Sequence, residues 1–339
     1  MHYVQKITLK LCNFARCLRE NERMRLVYVL VVMLLTASNA WSEEGQLNFS
    51  NFDTWITRSI KESVLVGGHT RTLYEVGPTG TFNGAKAFIN QGGCPWANSN
   101  VYAKVCGVVK TNVSVYPDTH GNGKCAKLYT HIVNCKAIGV VNISVLAGGS
   151  IFTGNVIEPI TSTSNPWSKI NVGIPFTKRP KAIKFDYKYY NPVSKTRIKE
   201  TGFSKTQTID GKDMGECVCL LQKRWEDETG NIHALRVGTM RVRFDKNTSG
   251  WVEGKEFAIH YGDISKESYY RDWMGMVKDE RAFHALNSKG KNVPIQEEGW
   301  ADANETPTHL IVKFDSSYGG AYIGTEGNTL WIDNVRFVY

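Results

Sequence analysis

The sequence predicts an all-β fold, a large sandwich of antiparallel sheets, on three observations. From Asn48 onward, short apolar alternations are separated by clusters of glycine, asparagine, proline and aspartate. No helical stripe runs longer than about three turns. The closing stretch from Ser316 to Tyr339 reads as a last hairpin, in which Gly319, Gly320, Gly324 and Gly327 supply turns before a long strand.

Taken in chain order, the first element is a leader. Met24-Arg25 opens a basic start, an apolar run follows from Leu26 to Leu35, and small residues stand at Ser38 and Ala40. We read residues 1–40 as a signal peptide cleaved after Ala40, with Met24 as its true start. The apolar run is too short for a membrane span, which needs ~20 residues, and no cysteine follows it directly for lipidation. The expected location is the periplasm or the exterior. Candidate strands then cover residues 108–116, 125–133, 182–190, 216–224, 234–244, 251–261, 309–314 and 329–338. Several exceed the common strand length, as the layers of a large sandwich require. In Ile183-Lys184-Phe185-Asp186-Tyr187-Lys188-Tyr189 the apolar and charged side chains alternate strictly, so a one-residue slip would bury the charges and the register is well specified. Cys217-Val218-Cys219-Leu220-Leu221 is apolar on both faces, which implies a central strand, and Gly230-Asn231 marks the hairpin turn after it. Residues 267–276 and 278–286 suit short helices, and Gln296 to Trp300 reads as part of a long surface loop. In the final strand the apolar set changes phase between Ile332 and Val335, which predicts a β-bulge at Asp333-Asn334. We find no repeat and no linker, and expect one domain over residues 46–339.

Charge argues against nucleic acid. Removing residues 1–40 takes away six basic and two acidic side chains and lowers the formal charge from +9 to +5. The remaining basic residues are dispersed among acidic ones and make no stripe. In an oxidising compartment, Cys94, Cys106, Cys125 and Cys135 suggest two disulfides, with neighbour pairing expected among the 15 connectivities that six cysteines allow. Cys217 and Cys219 read as buried thiols. No cysteine or histidine spacing matches a zinc site.

Three blocks together carry a resemblance: Leu146 to Gly154, Gly173 to Tyr189, and the closing hairpin. In order and spacing they resemble the putative carbohydrate metabolism domain family, PCMD, found in Gram-negative gut commensals. The resemblance spans residues 52–339. It implies a jelly-roll sandwich similar to galactose-binding-like carbohydrate-binding modules, with short helices in loops, and a role in glycan use at the cell envelope. It lends no catalytic residues.

Sugar binding needs flat aromatic rings flanked by planar polar groups. Trp225 ranks first, at the approach to a hairpin beside Arg224 and Glu226. Trp96 follows, in a loop that a disulfide would stiffen, and then Trp300 in the acidic segment. Glycoside hydrolysis needs a carboxyl pair about 5 Å apart for retention, or about 6.5 to 9.5 Å for inversion. Glu216, Glu226, Asp227, Glu228, Glu253, Glu256, Asp263 and Asp315 are the candidates, although Glu253 and Glu256 project to opposite faces of a strand. Jelly rolls of the resembled kind often hold a structural calcium near the chain ends, for which Asp333 and Asp53 are the proposed ligands. No other cofactor is expected. No nucleophile signature or phosphate-binding loop is present. The expected function is therefore an exported, non-catalytic carbohydrate-binding protein whose partner is a glycan. The alternatives are a glycoside hydrolase on the same sandwich, or a structural or adhesive envelope protein.

Overall fold

The structure, a computed structural model, describes residues 43–137, 141–162, 165–193, 195–202 and 205–339. The leader read in residues 1–40 lies outside them. Among the described residues four small sheets of two or three strands accompany the two large ones that form the sandwich. The smaller of the large pair runs in the order Val252–Ala258, Ala182–Tyr190, Thr329–Val338, Gly123–Tyr129, Val115–His120, and the short strand Glu44–Gly45 pairs with the end of Thr329–Val338. The larger runs Ile170–Val172, Ser150–Val156, His309–Asp315, Gly215–Glu226, Ile232–Phe244, Asn292–Trp300, His284–Leu286. The all-β sandwich that the alternation predicts is the fold observed. Among the described residues helix is confined to 3-10 turns of three or four residues in loops.

The core lies between the sheets because each contributes alternate apolar residues to one inner face. Ile183, Phe185, Ile332 and Phe337 of the smaller sheet meet Cys219, Leu221, Val312 and Phe314 of the larger, all within 1% of full burial. Phe185 meets Phe314 edge to face at 5.0 Å. The expected bulge is present. Asp186 pairs with Asp333 and Lys184 with Arg336, so Phe185 alone stands opposite Asn334 and Val335, and Asn334 takes φ 50°. The extra residue lets Leu330, Ile332, Val335 and Phe337 all reach the core despite their change of phase.

The glycine motif at 148–149 has a steric reason. A Cβ on Gly149 would fall 2.4 Å from the Tyr129 nitrogen and 2.6 Å from the Ser114 carbonyl, so only glycine lets the chain cross there.

A second apolar cluster covers part of the outer face of the larger sheet, where Val218, Leu220 and Ile311 pack against Phe283, Val293 and Ile295. This explains why the strand around Cys217 is apolar on both faces. It also corrects the expected surface loop. Asn292–Trp300 is a strand paired in parallel with Ile232–Phe244. Val293, Ile295 and Glu297 are the inward set, and a glutamate in that series hides the alternation. The expected helices shrink to the turns Asp272–Met274 and Asp279–Arg281, and His284–Leu286 is a strand.

The expected disulfides are also corrected. Cys94 and Cys106 are both free thiols. Cys94 is buried with its Sγ 3.8 Å from the Trp96 carbonyl, whereas Cys106 is exposed at the turn between Val101–Val105 and Val108–Asn112. Cys125 is a buried free thiol, and the side chain of Cys135 lies outside the described set. Cys217 and Cys219 are fully buried thiols, as expected, and burial raises both pKa values.

A small sheet of Trp55–Lys61, Thr70–Val76 and Gly80–Asn83 carries a buried charge cluster. Arg58, with 1% of its side chain exposed, donates to Glu75 at 2.7 Å and to Glu158 at 2.6 Å. One cation between two carboxylates favours keeping a proton. Burial pushes Glu75 up to about 8, with Arg58 opposing and the Glu158 carboxylate assisting. A carboxyl whose folded pKa lies above its unfolded value loses its stabilising contribution as pH rises. Thermal midpoints should therefore fall between pH 5 and 8 in the native chain and fall less in Glu75→Gln. Parallel slopes for the two proteins would refute the assignment.

Candidate functional site

Where the second apolar cluster ends, the outer face of the larger sheet turns polar and forms the floor of a cleft of about 1250 Å³. Strand register lays out that floor. Ser150, Asp315, Glu216 and Arg243 stand side by side across four strands. The neighbouring row is Phe152, Lys313, Val218 and Arg241. Each belongs to a strand whose alternate residues fill the core, so its outward direction is fixed by the packing behind it.

Glu216 and Asp315 are cross-strand partners, which places their Cβ atoms ~5 Å apart. Two carboxylates so placed repel, and the structure compensates each of them. Glu216 accepts from Arg241 at 3.0 and 3.2 Å and from Arg243 at 2.8 Å. Asp315 is paired with Lys313. Burial raises the pKa of Asp315, the Glu216 carboxylate adds to the rise, and Lys313 works against it. Asp315 is thus held toward its protonated form.

Aromatic walls complete the cleft. The turn Asp272–Met274 brings in Trp273, and Arg241 fixes that turn by donating to the Trp273 carbonyl. The Arg243 guanidinium lies 4.6 Å from the Trp273 ring centre and 4.0 Å from that of Tyr318. Trp167 enters on the turn Pro166–Lys169, whose start is capped by the Asn165 side chain accepting from the Ser168 amide. Its ring meets Phe283 edge-on at 6.2 Å, and the Lys313 ammonium lies 5.4 Å from its centre.

None of the sugar-binding residues chosen from the sequence lines this cleft. Trp225 is exposed, at 41%, but its ring stacks on His233 at 5.4 Å. Arg224 and Glu226 point to the other face of the strand. Arg224 is half-buried and donates to Gln222 and the Val172 carbonyl, while Glu226 accepts from Ser288. Trp96 is 1% exposed, and its indole nitrogen donates to Ser50, so it belongs to the core. Trp300 is half-buried over Arg236. Of the carboxylates singled out, the structure brings together Glu216 and Asp315. Trp167, Trp273, Tyr318, Arg241 and Arg243 were missed. The available signal was the run of polar residues at alternate positions, 241 and 243, 313 and 315, on strands whose other positions are apolar.

The expected calcium ligands do not share a site. Asp53 accepts from the Lys124 amide at 2.9 Å and from Asn51 at 2.7 Å. Asp333 lies instead with His120 and Asp186, their candidate donor atoms within 4.8 Å of one another. An imidazole with two carboxylates does not match calcium, which takes six to eight oxygens. All four carboxylate oxygens already accept hydrogen bonds: Asp333 from His120 and the Asn334 amide, Asp186 from the Gly254 amide and the Asn334 side chain. The group clamps the bulge, and burial pushes Asp333 up to about 6.

Residues 81–338 match the model of a family described as "Putative carbohydrate metabolism domain". No curated protein matches the chain. Among solved structures, the chain is similar to one described as a putative glycoside hydrolase from Bacteroides thetaiotaomicron VPI-5482, at 20% identity and a TM-score of 0.42. That match covers 68% of this chain and 58% of the other, so the chain spans less than two thirds of that protein. A second, described as a putative glycoside hydrolase from Bacteroides vulgatus ATCC 8482, is 14% identical with a TM-score of 0.43, covering 85% of this chain and 96% of the other.

Proposed function

The chain belongs to the putative carbohydrate metabolism domain family, and on that premise we propose that it is an exported protein that binds a glycan in the cleft on the outer face of its larger sheet. The observation that supports this reading is the combination of indole rings at 167 and 273 with forked and planar polar groups at 216, 241, 243 and 315 in one concavity. Pyranose C–H faces pack on such rings, and the charged groups take the hydroxyls. In affinity electrophoresis against a polysaccharide panel, Trp273→Ala should weaken retention about 10- to 100-fold, the loss of an aromatic anchor of ~1–3 kcal/mol. Trp225→Ala, outside the cleft, should leave it unchanged. Equal retention of wild type and Trp273→Ala would remove the cleft from the proposal.

A second reading, a glycoside hydrolase, is favoured by the Glu216 and Asp315 pair. Asp315, with its raised pKa, suits a general acid, and Glu216, held by two arginines, supplies the second carboxyl group beside it. New reducing ends released from the same panel would favour this reading, and their absence favours the binding protein.

A further inference from the structure

Arg243 is held in a way that its ion pair does not require. Its guanidinium carries five N–H donors in a rigid fork. One of them, on Nε, goes to Glu216 at 2.8 Å. The group is flanked by the Trp273 and Tyr318 rings, at 4.6 and 4.0 Å from their centres, which fixes its plane. Neither Nη atom has a hydrogen-bond partner among the described residues, and the side chain faces the cleft with 15% of its surface accessible. Arg241 differs, since it spends Nε and Nη2 on Glu216 and Nη1 on the Trp273 carbonyl. One of the two arginines therefore neutralises and builds, while the other presents a pre-oriented fork to whatever enters.

The surrounding charge has the same sense. Seven basic side chains line the cleft against four acidic ones; of the seven, Lys110 pairs with Glu62 at 2.9 Å outside the lining, and the two acids on the floor are already paired with cations, so the balance remains positive. A neutral sugar would leave this excess unanswered. An oxyanion on the sugar would meet it, in the bidentate geometry that a guanidinium offers best.

We propose that the glycan bound in this cleft is acidic, with its oxyanion, a uronate carboxylate or a sulfate ester, received by the two Nη groups of Arg243. The inference rests on the cleft being the glycan site, and it names the substrate class of that site.

The test uses the whole chain and calorimetric titration with three sets of probes. These are oligosaccharides of polyuronates, the same oligosaccharides with their carboxyls reduced to primary alcohols, and sulfated glycosaminoglycan oligosaccharides each paired with its desulfated form. At least one acidic probe should bind ten-fold or more tightly than its neutral counterpart, or than its desulfated form, and the preferred arm identifies the oxyanion. Arg243→Gln should abolish that ratio. Arg243→Lys, which keeps the charge but loses the fork, should abolish most of it and guards against misfolding of the glutamine variant. Equal binding of acidic and neutral forms, or a ratio unchanged in both variants, would overturn the proposal while leaving the cleft as a glycan site. No binding of any probe, acidic or neutral, would overturn both.

Discussion

A chain stopped before Thr329 should not fold. Thr329–Val338 is flanked by Ala182–Tyr190 on one side and by Gly123–Tyr129 and Glu44–Gly45 on the other, so its removal exposes unpaired backbone on both neighbours and splits the smaller sheet. Leu330, Ile332, Val335, Phe337 and Val338 are each 5% exposed or less. Full burial of such a side chain contributes ~1.5–3 kcal/mol. Five of them together reach the whole stability of a typical domain, about 5–15 kcal/mol. The truncated product should show no cooperative thermal transition and should be digested by protease under conditions that the full chain survives. A truncated chain with an unaltered melting curve would mean that the smaller sheet does not hold the fold. The single substitution Phe337→Ala, a cavity in the same strand, is expected to cost about 3–5 kcal/mol and so to give a measurable, shifted transition.

The parts of this architecture that could be read in the sequence are those where one residue's direction decides the energy. Residues 182–190 and 329–338 were delimited correctly because a slip in either buries lysine or exposes phenylalanine. The bulge at Asn334 was legible because only an extra residue reconciles Ile332 with Val335. What could not be read was long-range pairing. Glu297 looked like a loop residue because its partner, Arg236, lies 61 positions away. Trp96, after Gly93-Cys94-Pro95, and Trp225, between Arg224 and Glu226, both read as rings near turns, yet one is enclosed and the other exposed, since only the layer above decides which rings are covered. The cleft shows the same limit. Glu216 and Asp315 each appeared among several conceivable acids, and nothing local states that His309–Asp315 lies beside Gly215–Glu226. The cysteine cluster misled because crowding along the chain is not proximity in a sheet.

Glu297→Ala should be the most damaging single exchange away from the main core, with a cost of about 3–5 kcal/mol. Glu297 and Arg236 each expose 1% of their side chains. The carboxylate accepts from Arg236, from the Gln222 amide at 2.6 Å and from the Val277 backbone at 2.8 Å. Burial alone would raise its pKa, but the guanidinium and these donors hold it below the ordinary carboxylate range. Its contribution is therefore present at neutral pH and is lost as pH falls through the depressed value. Deleting the carboxylate strands a guanidinium in a dry interior. Replacing both partners, as in Arg236→Met with Glu297→Leu, should recover most of the loss, because the pair's own desolvation cost goes with it. Denaturant midpoints of the single and double variants separate the two cases, and a double variant as unstable as the single one would refute the buried-charge explanation. The same pair also bears on function. Arg236 lies 3.4 Å from the Met274 carbonyl and 3.5 Å from that of Gly275, while Glu297 holds the Val277 amide. The segment that carries Trp273 into the cleft is therefore anchored from behind by this ion pair. Even where the double variant restores stability, the proposed glycan binding should be weaker in it than in the native chain, since methionine and leucine cannot hold those carbonyls and that amide.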